Sequence, residues 1–403
     1  MAKAPIGNRQ LIRTLNRTAV LNMIKSRGPI GRAEIARRTG LSPATVSSLT
    51  ADLIASQLVL ETEPGESSGG RRPILLEINP AGGFVVGLKL TEDRVIAALI
   101  NLDGDVMDKR TDRLTGAAPE QVVGAIERCV GRLLKGAGLA PGQLLGVGVG
   151  LAGVVDAEAG VSRQQPFLGW RDVPLGPMLA ARLNTLVHID NDVNALTLAE
   201  RLYGRGQGVD DFLTVTVGRG VGLGIVIGGD LFRGARGGGG EFGHLVVDVE
   251  GPPCECGKRG CLEAYVGEAG LLRQAHALAE AGQLRPVGSV DELLALAAGG
   301  QPSAVELFAR SGGLLGQGVA NLVNLFNPAR ILISGEGVRY GDLFFTPMRQ
   351  ALAANTMPAL HGDSQLRIDP WGDDAWAVGA ASLVLRDLFV SPLQAGRGQA
   401  AVA

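Results

Sequence analysis

Residues 237–265 of this 403-residue chain read GGGGEFGHLVVDVEGPPCECGKRGCLEAY. The stretch places Cys254, Cys256 and Cys261 close together, with His244 ten residues ahead of the first cysteine. Three thiolates and one imidazole are the donor set that tetrahedral structural zinc prefers, and four protein ligands leave no open position for catalysis. The pattern therefore predicts a structural Zn²⁺ bound by these four residues. The alternative is a set of reduced cysteines without a metal.

Glycine-punctuated apolar runs lie on both sides of this stretch, and such runs are typical of strands in α/β folds. They form two similar sets, each combined with helical segments. Two similar α/β halves predict a duplicated fold with a cleft between two lobes, a usual place for a small ligand. The predicted strands lie within 84–90, 94–106, 144–156, 212–234 and 329–337, and the predicted helices lie at 120–135 and within 290–324.

Composition excludes several classes of protein. The chain is longer than one typical domain of roughly 100–200 residues, and its 60 glycines and 20 prolines are scattered without the repeat of a collagen. The longest uninterrupted run of apolar residues and glycines, 144–155, is shorter than the roughly 20 residues that cross a bilayer, and the N-terminus lacks the apolar core of a signal peptide. Four cysteines are too few for a disulfide framework. We therefore expect a cytoplasmic protein.

Charge is distributed unevenly along the chain. Residues 1–79 carry 11 Lys and Arg against 6 Asp and Glu, a balance of +5. The remaining residues carry 27 against 34, a balance of −7, so that the whole chain has a net charge of −2. A basic head on an acidic body indicates that the head alone meets a polyanion.

Helical spacing and helix breakers in the basic head predict three helices. The first covers residues 11–26 and stops before Gly28, the second ends at Gly40, and the third follows Ser42. Ser42 can cap the third helix, and Pro43 suits its first position, where a missing N–H costs nothing. The apolar face of the first helix consists of Leu11, Leu15, Ala19, Leu21 and Ile24, and that of the third consists of Val46, Leu49, Leu53 and Ile54.

A short helix, a turn containing glycine and a capped second helix are typical of a helix-turn-helix. Small outward side chains on the third helix let it enter a major groove. Two strands at 58–61 and 74–78 predict a wing, with arginines at its base that can reach a minor groove. The alternative is a plain helical cap with a solvated loop. The predicted DNA contacts are Ser42, Ala44, Thr45, Ser47, Ser48, Arg71 and Arg72.

The stretch at 237–265 resembles the signature of the ROK family (repressors, open reading frames and sugar kinases), as does IDNDVNALTLAE at 189–200. The wing ending GGRRP ahead of such a body resembles the family's repressor branch, which includes xylose and N-acetylglucosamine repressors. The resemblance runs from about residue 11 to 388 and implies an α/β fold and zinc at the four residues named above. The chain would then consist of a winged helix-turn-helix at 1–79, a two-lobed actin-like, sugar-kinase-like ROK body at 80–390, and a flexible tail at 391–403.

A sugar site needs carboxylates and amides, because each sugar hydroxyl both donates and accepts hydrogen bonds. In the kinase members of the family, the residue matching Asp192 is the general base, so the resemblance implies a vestigial base here. Phe167 stands in PFLGW where the family often has asparagine, which removes one sugar contact. By resemblance, the sugar contacts fall on Asn191, Asp192, Glu241, His244 and Glu263.

Phosphoryl transfer needs glycines and a carboxylate around the phosphates. Where ROK kinases have Asp followed by Gly-Gly-Thr, this chain has Lys89 and no glycine pair. Arg219 replaces a small threonine in the second phosphate loop, and its bulk fills space that a nucleotide needs. We therefore predict no enzymatic activity. An alternative role for Lys89 and Arg219 is to bind the phosphate of a sugar phosphate.

These features together predict a repressor of carbohydrate uptake or catabolism genes, released from operator DNA by a monosaccharide or its phosphate. Paired half-sites require at least a dimer, and a tetramer is equally compatible. The stretch LLGQGVANLVNLFNP at 314–328 is either an interface or core. One alternative is an ATP-dependent hexose kinase with a regulatory head, which is disfavoured because Lys89 stands where the kinases have Asp. Another is a zinc-responsive regulator, which is disfavoured because a closed site of four protein ligands is typical of structural zinc. The sequence identifies neither the sugar nor the operator.

Overall fold

The structure, a computed structural model, describes residues 9–64, 72–139, 143–368 and 374–389. The predicted DNA contact Arg71 and the predicted tail lie outside the described residues. The chain divides into two compact units, one formed by Met1–Leu202 with Trp376–Ala403 and the other by Tyr203–Ala375. The first unit thus contains the basic head together with the first α/β half. Within the described ranges, no helix is long and apolar enough to cross a membrane.

The head consists of three helices and a three-stranded antiparallel sheet. Its sheet has the strand order β1-β3-β2, and the order of elements matches the predicted winged helix-turn-helix. The two-residue strand β1 was not predicted, because so short a segment has no alternating pattern. The elements are α1 (Arg9–Arg27), β1 (Ile30–Gly31), α2 (Arg32–Thr39), α3 (Pro43–Ala55), β2 (Val59–Pro64) and β3 (Ile74–Ile78).

The turn between α2 and α3 follows from local chemistry. Gly40 ends α2 in the left-handed conformation with φ of 71°, and the Ser42 side chain accepts a hydrogen bond from the Thr45 N–H at the start of α3. Both features confirm the predicted helix bounds. The predicted apolar face of α1 was wrong at Ala19, which is exposed, whereas its neighbour Val20 is fully buried.

The first α/β half has a mixed five-stranded sheet with the order β11-β7-β4-β5-β6. Strand β4 pairs antiparallel with β5 and parallel with β7. The strands are β4 (Phe84–Leu90), β5 (Arg94–Ile100), β6 (Val106–Arg113), β7 (Leu144–Leu151) and β11 (Val187–Asn191), with a small sheet of β8 (Val154–Asp156), β9 (Val161–Gln165) and β10 (Trp170–Val173). The helices are α4 (Pro119–Ala137), α5 (Leu175–Leu183), α6 (Asp192–Leu202) and, from the end of the chain, α12 (Ala375–Phe389).

The second unit repeats the same sheet. Its order is β14-β13-β12-β15-β16, in which β12 pairs antiparallel with β13 and parallel with β15. The matching pattern of antiparallel and parallel neighbours confirms the predicted duplication. The strands are β12 (Phe212–Val217), β13 (Val221–Ile227), β14 (Asp230–Phe232), β15 (Arg330–Ser334) and β16 (Gln365–Ile368). The helices are α7 (Glu263–Val266), α8 (Glu268–Glu280), α9 (Val290–Ala298), α10 (Pro302–Phe326) and α11 (Asp342–Asn355).

Each half has its own apolar core. Cys129 on α4 is fully buried in the core of the first half. Strand β7 approaches α12 so closely that a Cβ on Gly148 would lie 1.8 Å from the Ala380 carbonyl oxygen. In the second unit, most of the apolar residues of α10 are core, whereas Leu325 at its end is 74% exposed.

Candidate functional site

The three clustered cysteines and His244 meet in the second unit. Their ligand atoms lie within 4.8 Å of one another. The Cys256 and Cys261 Sγ atoms are 3.7 Å apart, and His244 Nδ1 lies 3.6 Å from Cys254 Sγ. A tetrahedron with metal–sulfur bonds of about 2.3 Å has edges of about 3.8 Å, so these two pairs of donors already have nearly the separation that a tetrahedral ion requires. These four residues could hold a metal.

The loop that carries the cysteines is fixed by backbone hydrogen bonds. The Cys254 N–H donates to the Lys258 carbonyl at 2.8 Å, and the Gly257 N–H donates to the Cys254 carbonyl at 3.0 Å. Gly260 has φ of 66°, and a Cβ there would lie 1.5 Å from the Asp248 carbonyl oxygen. Only glycine fits this position, because both the left-handed backbone and the close approach exclude a side chain.

Two of the thiols are poorly suited to ionise without a metal. Burial raises the pKa of the Cys261 thiol to about 12, and burial also raises the pKa of Cys254. A thiolate is the form that binds metal. Metal binding at this site would therefore have to release protons, and its affinity would fall at acidic pH.

His244 faces two sets of groups with its two ring nitrogens. Nδ1 is directed towards Cys254, whereas Nε2 lies 3.8 Å from a Glu241 carboxylate oxygen and 3.9 Å from a Glu263 carboxylate oxygen. The sequence assigned His244 both to the metal and to the sugar. The ring geometry is compatible with both roles, because a metal at Nδ1 leaves Nε2–H directed to the carboxylates, an arrangement common around metal-bound histidines.

The two carboxylates next to His244 differ in their surroundings. Glu263 stands at the start of α7, is 20% exposed, and accepts a hydrogen bond from the Val221 N–H at 2.9 Å. Glu241 is half exposed. Its partial burial raises the pKa of its carboxyl, and the Glu263 carboxylate raises this pKa further, whereas His244 lowers it. The second unit thus brings three of the five predicted sugar contacts together: Glu241, His244 and Glu263.

The other two predicted sugar contacts lie in the first unit, where β11 joins α6. Asn191 Oδ1 accepts hydrogen bonds from the backbone of Val193 and Asn194 at the start of α6, and its Nδ2 donates to the Gly153 carbonyl. Asp192 is half buried beside it. The fully buried Asp190 accepts from Asn191 N and Asn194 Nδ2. The sequence reasoning missed this supporting carboxylate, although it lies in the quoted IDND.

The two residues that depart from the kinase pattern have partners inside their own units. The Arg219 guanidinium binds the Glu255 carboxylate through two nitrogen–oxygen contacts of 3.2 Å. The Lys89 ammonium lies 3.8 Å from the centre of the Trp376 ring. The sequence reasoning missed Glu255, and its place between two predicted metal ligands was the signal that could have identified it.

The predicted DNA-binding face of α3 is open to solvent. Ser42, Ala44, Ser47 and Ser48 are exposed, and Thr45 is partly exposed. Arg72 at the base of the wing is exposed as well. The residues around the α2–α3 turn enclose a concavity of about 460 Å³ that includes Arg32 and Arg37, two cations the sequence reasoning did not assign.

The sequence and the structure both resemble known proteins. The sequence model of the ROK family matches residues 85–387. The xylose repressor of Caldicellulosiruptor bescii is 32% identical over 403 residues, covering 96% of this chain and 99% of the repressor. The N-acetylglucosamine repressor of Escherichia coli O157:H7 is 28% identical over 391 residues, covering 96% of each protein.

Two solved structures differ in how much of the chain they match. A ROK family transcriptional regulator, described as a homologue of the Escherichia coli MLC protein, superposes with a TM-score of 0.85 at 28% identity, covering 96% of this chain and 99% of that one. A ROK family glucokinase from Streptomyces griseus, in complex with glucose and AMPPNP, gives 0.64 at 31% identity, covering 75% of this chain and 99% of the glucokinase.

Proposed function

The chain belongs to the ROK family, and from this premise we propose that it is a sugar-responsive, DNA-binding repressor of genes for carbohydrate uptake or catabolism. The observation that carries the proposal is the extent of the match. Repressors and a transcriptional regulator match the head and the body together, whereas the glucokinase covers three quarters of the chain. The protein is therefore a regulator rather than an enzyme.

The head supplies the DNA contacts in this proposal. The exposed small side chains of α3 enter the major groove, where Ser47 and Ser48 contact base edges or phosphates. Ser42 has a second role, because its hydroxyl oxygen already caps α3. The arginines of the wing, Arg71 and Arg72, contact the minor groove or the backbone. A protein that binds operator DNA acts at the chromosome, so we expect it in the cytoplasm with the nucleoid.

The body supplies the sugar contacts. We propose that Asn191, Asp192, Glu241, His244 and Glu263 bind a monosaccharide or its phosphate, with Asp192 as the vestigial counterpart of a kinase base. Support comes from the three of these residues that lie together in the second unit, next to the cysteine loop. Carboxylates and an imidazole can accept and donate the several hydrogen bonds that a sugar requires.

The cysteine loop holds structural zinc in this proposal. His244, Cys254, Cys256 and Cys261 complete a four-ligand set, and the two closest pairs of donor atoms, 3.6 and 3.7 Å apart, support a tetrahedral ion. A bound Zn²⁺ would cross-link the loop and hold His244 in place. Since Nε2 of the same ring faces Glu241 and Glu263, the metal would fix one edge of the sugar site.

We further propose that the protein acts as a dimer or a tetramer. Two heads read the two half-sites of a palindromic operator, and their spacing determines whether both can bind. In this proposal the end of α10 contributes to the interface, because two apolar side chains are exposed there, Leu325 by 74% and Phe326 by 36%. Sugar binding in the body would favour one arrangement of the paired heads over another.

The DNA-binding part of the proposal can be tested with a single substitution on the exposed face of α3. Glu at position 44 favours the first turn of a helix, so Ala44→Glu keeps the head folded while it adds a negative charge to the DNA-binding face. We expect the affinity of the full-length protein for its own upstream DNA to fall about 100-fold or more. The matched control, Ala19→Glu on the exposed side of α1, leaves the affinity unchanged. Equal affinities for all three proteins would refute the assignment of α3.

A further inference from the structure

Arg32, the first residue of α2, makes two hydrogen bonds that join three parts of the head. Its Nε–H donates to the Thr50 hydroxyl of α3 at 3.0 Å, and its Nη2–H donates to a Glu61 carboxylate oxygen of β2 at 2.6 Å. Thr50 is fully buried, and its hydroxyl donates in turn to the Ser47 carbonyl at 3.1 Å. A continuous chain of hydrogen bonds therefore runs from a strand of the wing to the helix that carries the predicted DNA contacts.

This chain of hydrogen bonds reaches the wing at the level where its apolar packing ends. In the β2–β3 ladder, Glu61 pairs with Leu76, which is fully buried, whereas Ile74, nearer the tip of the wing, is 41% exposed. A register shift interrupts the ladder between Thr62 and Pro64. Apolar burial therefore holds the wing less firmly beyond Glu61, and polar contacts at that level contribute more to its orientation.

The charge of Glu61 is unfavourable in a domain that binds DNA, because a carboxylate repels phosphates. The side chains of Arg32 and Glu61 are partly exposed, by 29% and 43%. Ion pairs with this exposure contribute little to the stability of a protein. The main effect of the pair is therefore geometric, since it gives the guanidinium and the strand a fixed position relative to each other.

The base of the wing places Arg72 close to the same residues. Arg72 is exposed, and Pro73 follows it. A Cβ on Gly31, the residue before Arg32, would lie 3.3 Å from the Pro73 Cβ atom. The start of α2 thus touches the segment that carries the proposed minor-groove contact.

From these contacts we infer that Arg32 is a positioning residue, which holds the wing at a fixed orientation to α3 through Glu61 and Thr50 and does not itself bind a phosphate. The inference rests on the proposed DNA binding and adds a residue to it. With the wing held, Arg72 contacts the minor groove or the backbone while α3 lies in the major groove. Without Arg32 or Glu61, the wing adopts several orientations, and the contribution of Arg72 to the affinity for DNA falls.

Fluorescence anisotropy of the full-length protein on a duplex from its own upstream region, at one fixed ionic strength, tests the inference. The variant Glu61→Leu removes a negative charge, so a protein whose Arg32 binds phosphate would bind DNA more tightly. We expect the opposite, about threefold weaker binding, because the wing is no longer held. In the wild-type protein Arg72→Ala should weaken binding about tenfold, and in the Glu61→Leu background by about threefold or less.

A second variant separates the charge of Arg32 from its geometry. Arg32→Lys keeps the charge but cannot make both contacts at once, since an ammonium lacks the planar fork of a guanidinium. It should bind DNA about threefold more weakly than the wild-type protein and reduce the cost of Arg72→Ala in the same way. The matched control is Arg13→Lys, because Arg13 is an exposed arginine that joins α1 to α3 through Asp52. This control should leave both the affinity and the cost of Arg72→Ala unchanged, and circular dichroism checks that every variant is folded.

Three results would overturn the inference and leave the DNA-binding regulator standing. The first is tighter binding by Glu61→Leu, and the second is wild-type affinity in Arg32→Lys, since charge alone would then suffice. The third is a cost of Arg72→Ala that is equal in every background, including no cost at all. A wild-type protein that does not bind the duplex would overturn the proposed function, and the inference with it.

Discussion

A buried lysine at the contact between the head and the first α/β half makes the stability of the protein depend on pH in the alkaline range. The Lys25 ammonium on α1 lies 3.9 Å from the centre of the Phe389 ring at the end of α12, and Asn22 donates a hydrogen bond to the Phe389 carbonyl at 2.6 Å. Burial lowers the pKa of Lys25 from 10.5 to about 7, and the nearby Asp103 carboxylate only partly opposes the shift.

The sign of the effect follows from the two pKa values of Lys25. Between pH 7 and pH 10.5 the unfolded chain holds a proton that the folded chain has released, so the free energy of unfolding rises with pH in this window. At about 1.4 kcal/mol per pH unit, and with the folded lysine half titrated near pH 7, the gain from pH 7 to pH 9 is about 2 kcal/mol.

The substitution Lys25→Met isolates this contribution, because it keeps a long apolar side chain and removes the titration. We expect the variant to be more stable than the wild-type protein at pH 7, and this advantage to shrink by about 2 kcal/mol between pH 7 and pH 9. Urea unfolding followed by circular dichroism at several pH values measures the difference. In the control, Lys135→Met on the exposed surface of α4, the difference from wild type does not change with pH. If the difference in the free energy of unfolding between Lys25→Met and the wild-type protein also stayed constant with pH, the burial of Lys25 at this contact would be refuted.

Three further substitutions test local features of the fold. Ser42→Ala removes the cap of α3 and should lower the free energy of unfolding of the head by about 1 kcal/mol in urea; unchanged stability would mean that the cap contributes nothing. Gly260→Ala should abolish the retention of about one zinc per chain in metal analysis, because its Cβ would overlap the Asp248 carbonyl oxygen. The control Gly282→Ala has a similar φ and no atom within 4 Å of its Cβ, so it should retain the metal. Retention of zinc in both variants would contradict the claim that only glycine fits position 260. Gly148→Ala should lower the melting temperature, because its Cβ would overlap the Ala380 carbonyl oxygen of α12. The control Gly131→Ala on α4 should not lower it, because its Cβ meets no atom within 4 Å. Equal melting temperatures for the two variants would refute the close approach of β7 to α12.

Local chemistry explains why much of the head could be predicted from the sequence. The bounds of α2 and α3 depend on Gly40, Ser42 and Pro43, which act on their immediate neighbours. The cluster of His244 and three cysteines was predictable for a similar reason, since the three cysteines lie within one short loop. The duplicated sheets followed from two sets of glycine-punctuated apolar runs.

Contacts between distant segments explain what the sequence did not predict. Asn22 and Phe389 are 367 positions apart, and no local pattern marks their contact. The pairing of Arg219 with Glu255 depends on how the β12–β13 loop meets the cysteine loop. Ala19 was predicted on the buried face of α1 because alanine fits either face of a helix. In the structure Val20 is buried in the core and Ala19 is exposed.

The most direct test of the central claim is the release of DNA by a sugar. Full-length protein is bound to a fluorescent duplex from its own upstream region, and anisotropy is followed while D-xylose, D-glucose, N-acetyl-D-glucosamine and their phosphate esters are added. The account predicts that the protein binds the duplex and that one sugar of this set, free or phosphorylated, releases it. DNA that stays bound in every sugar, or a protein that does not bind the duplex at all, would contradict the account.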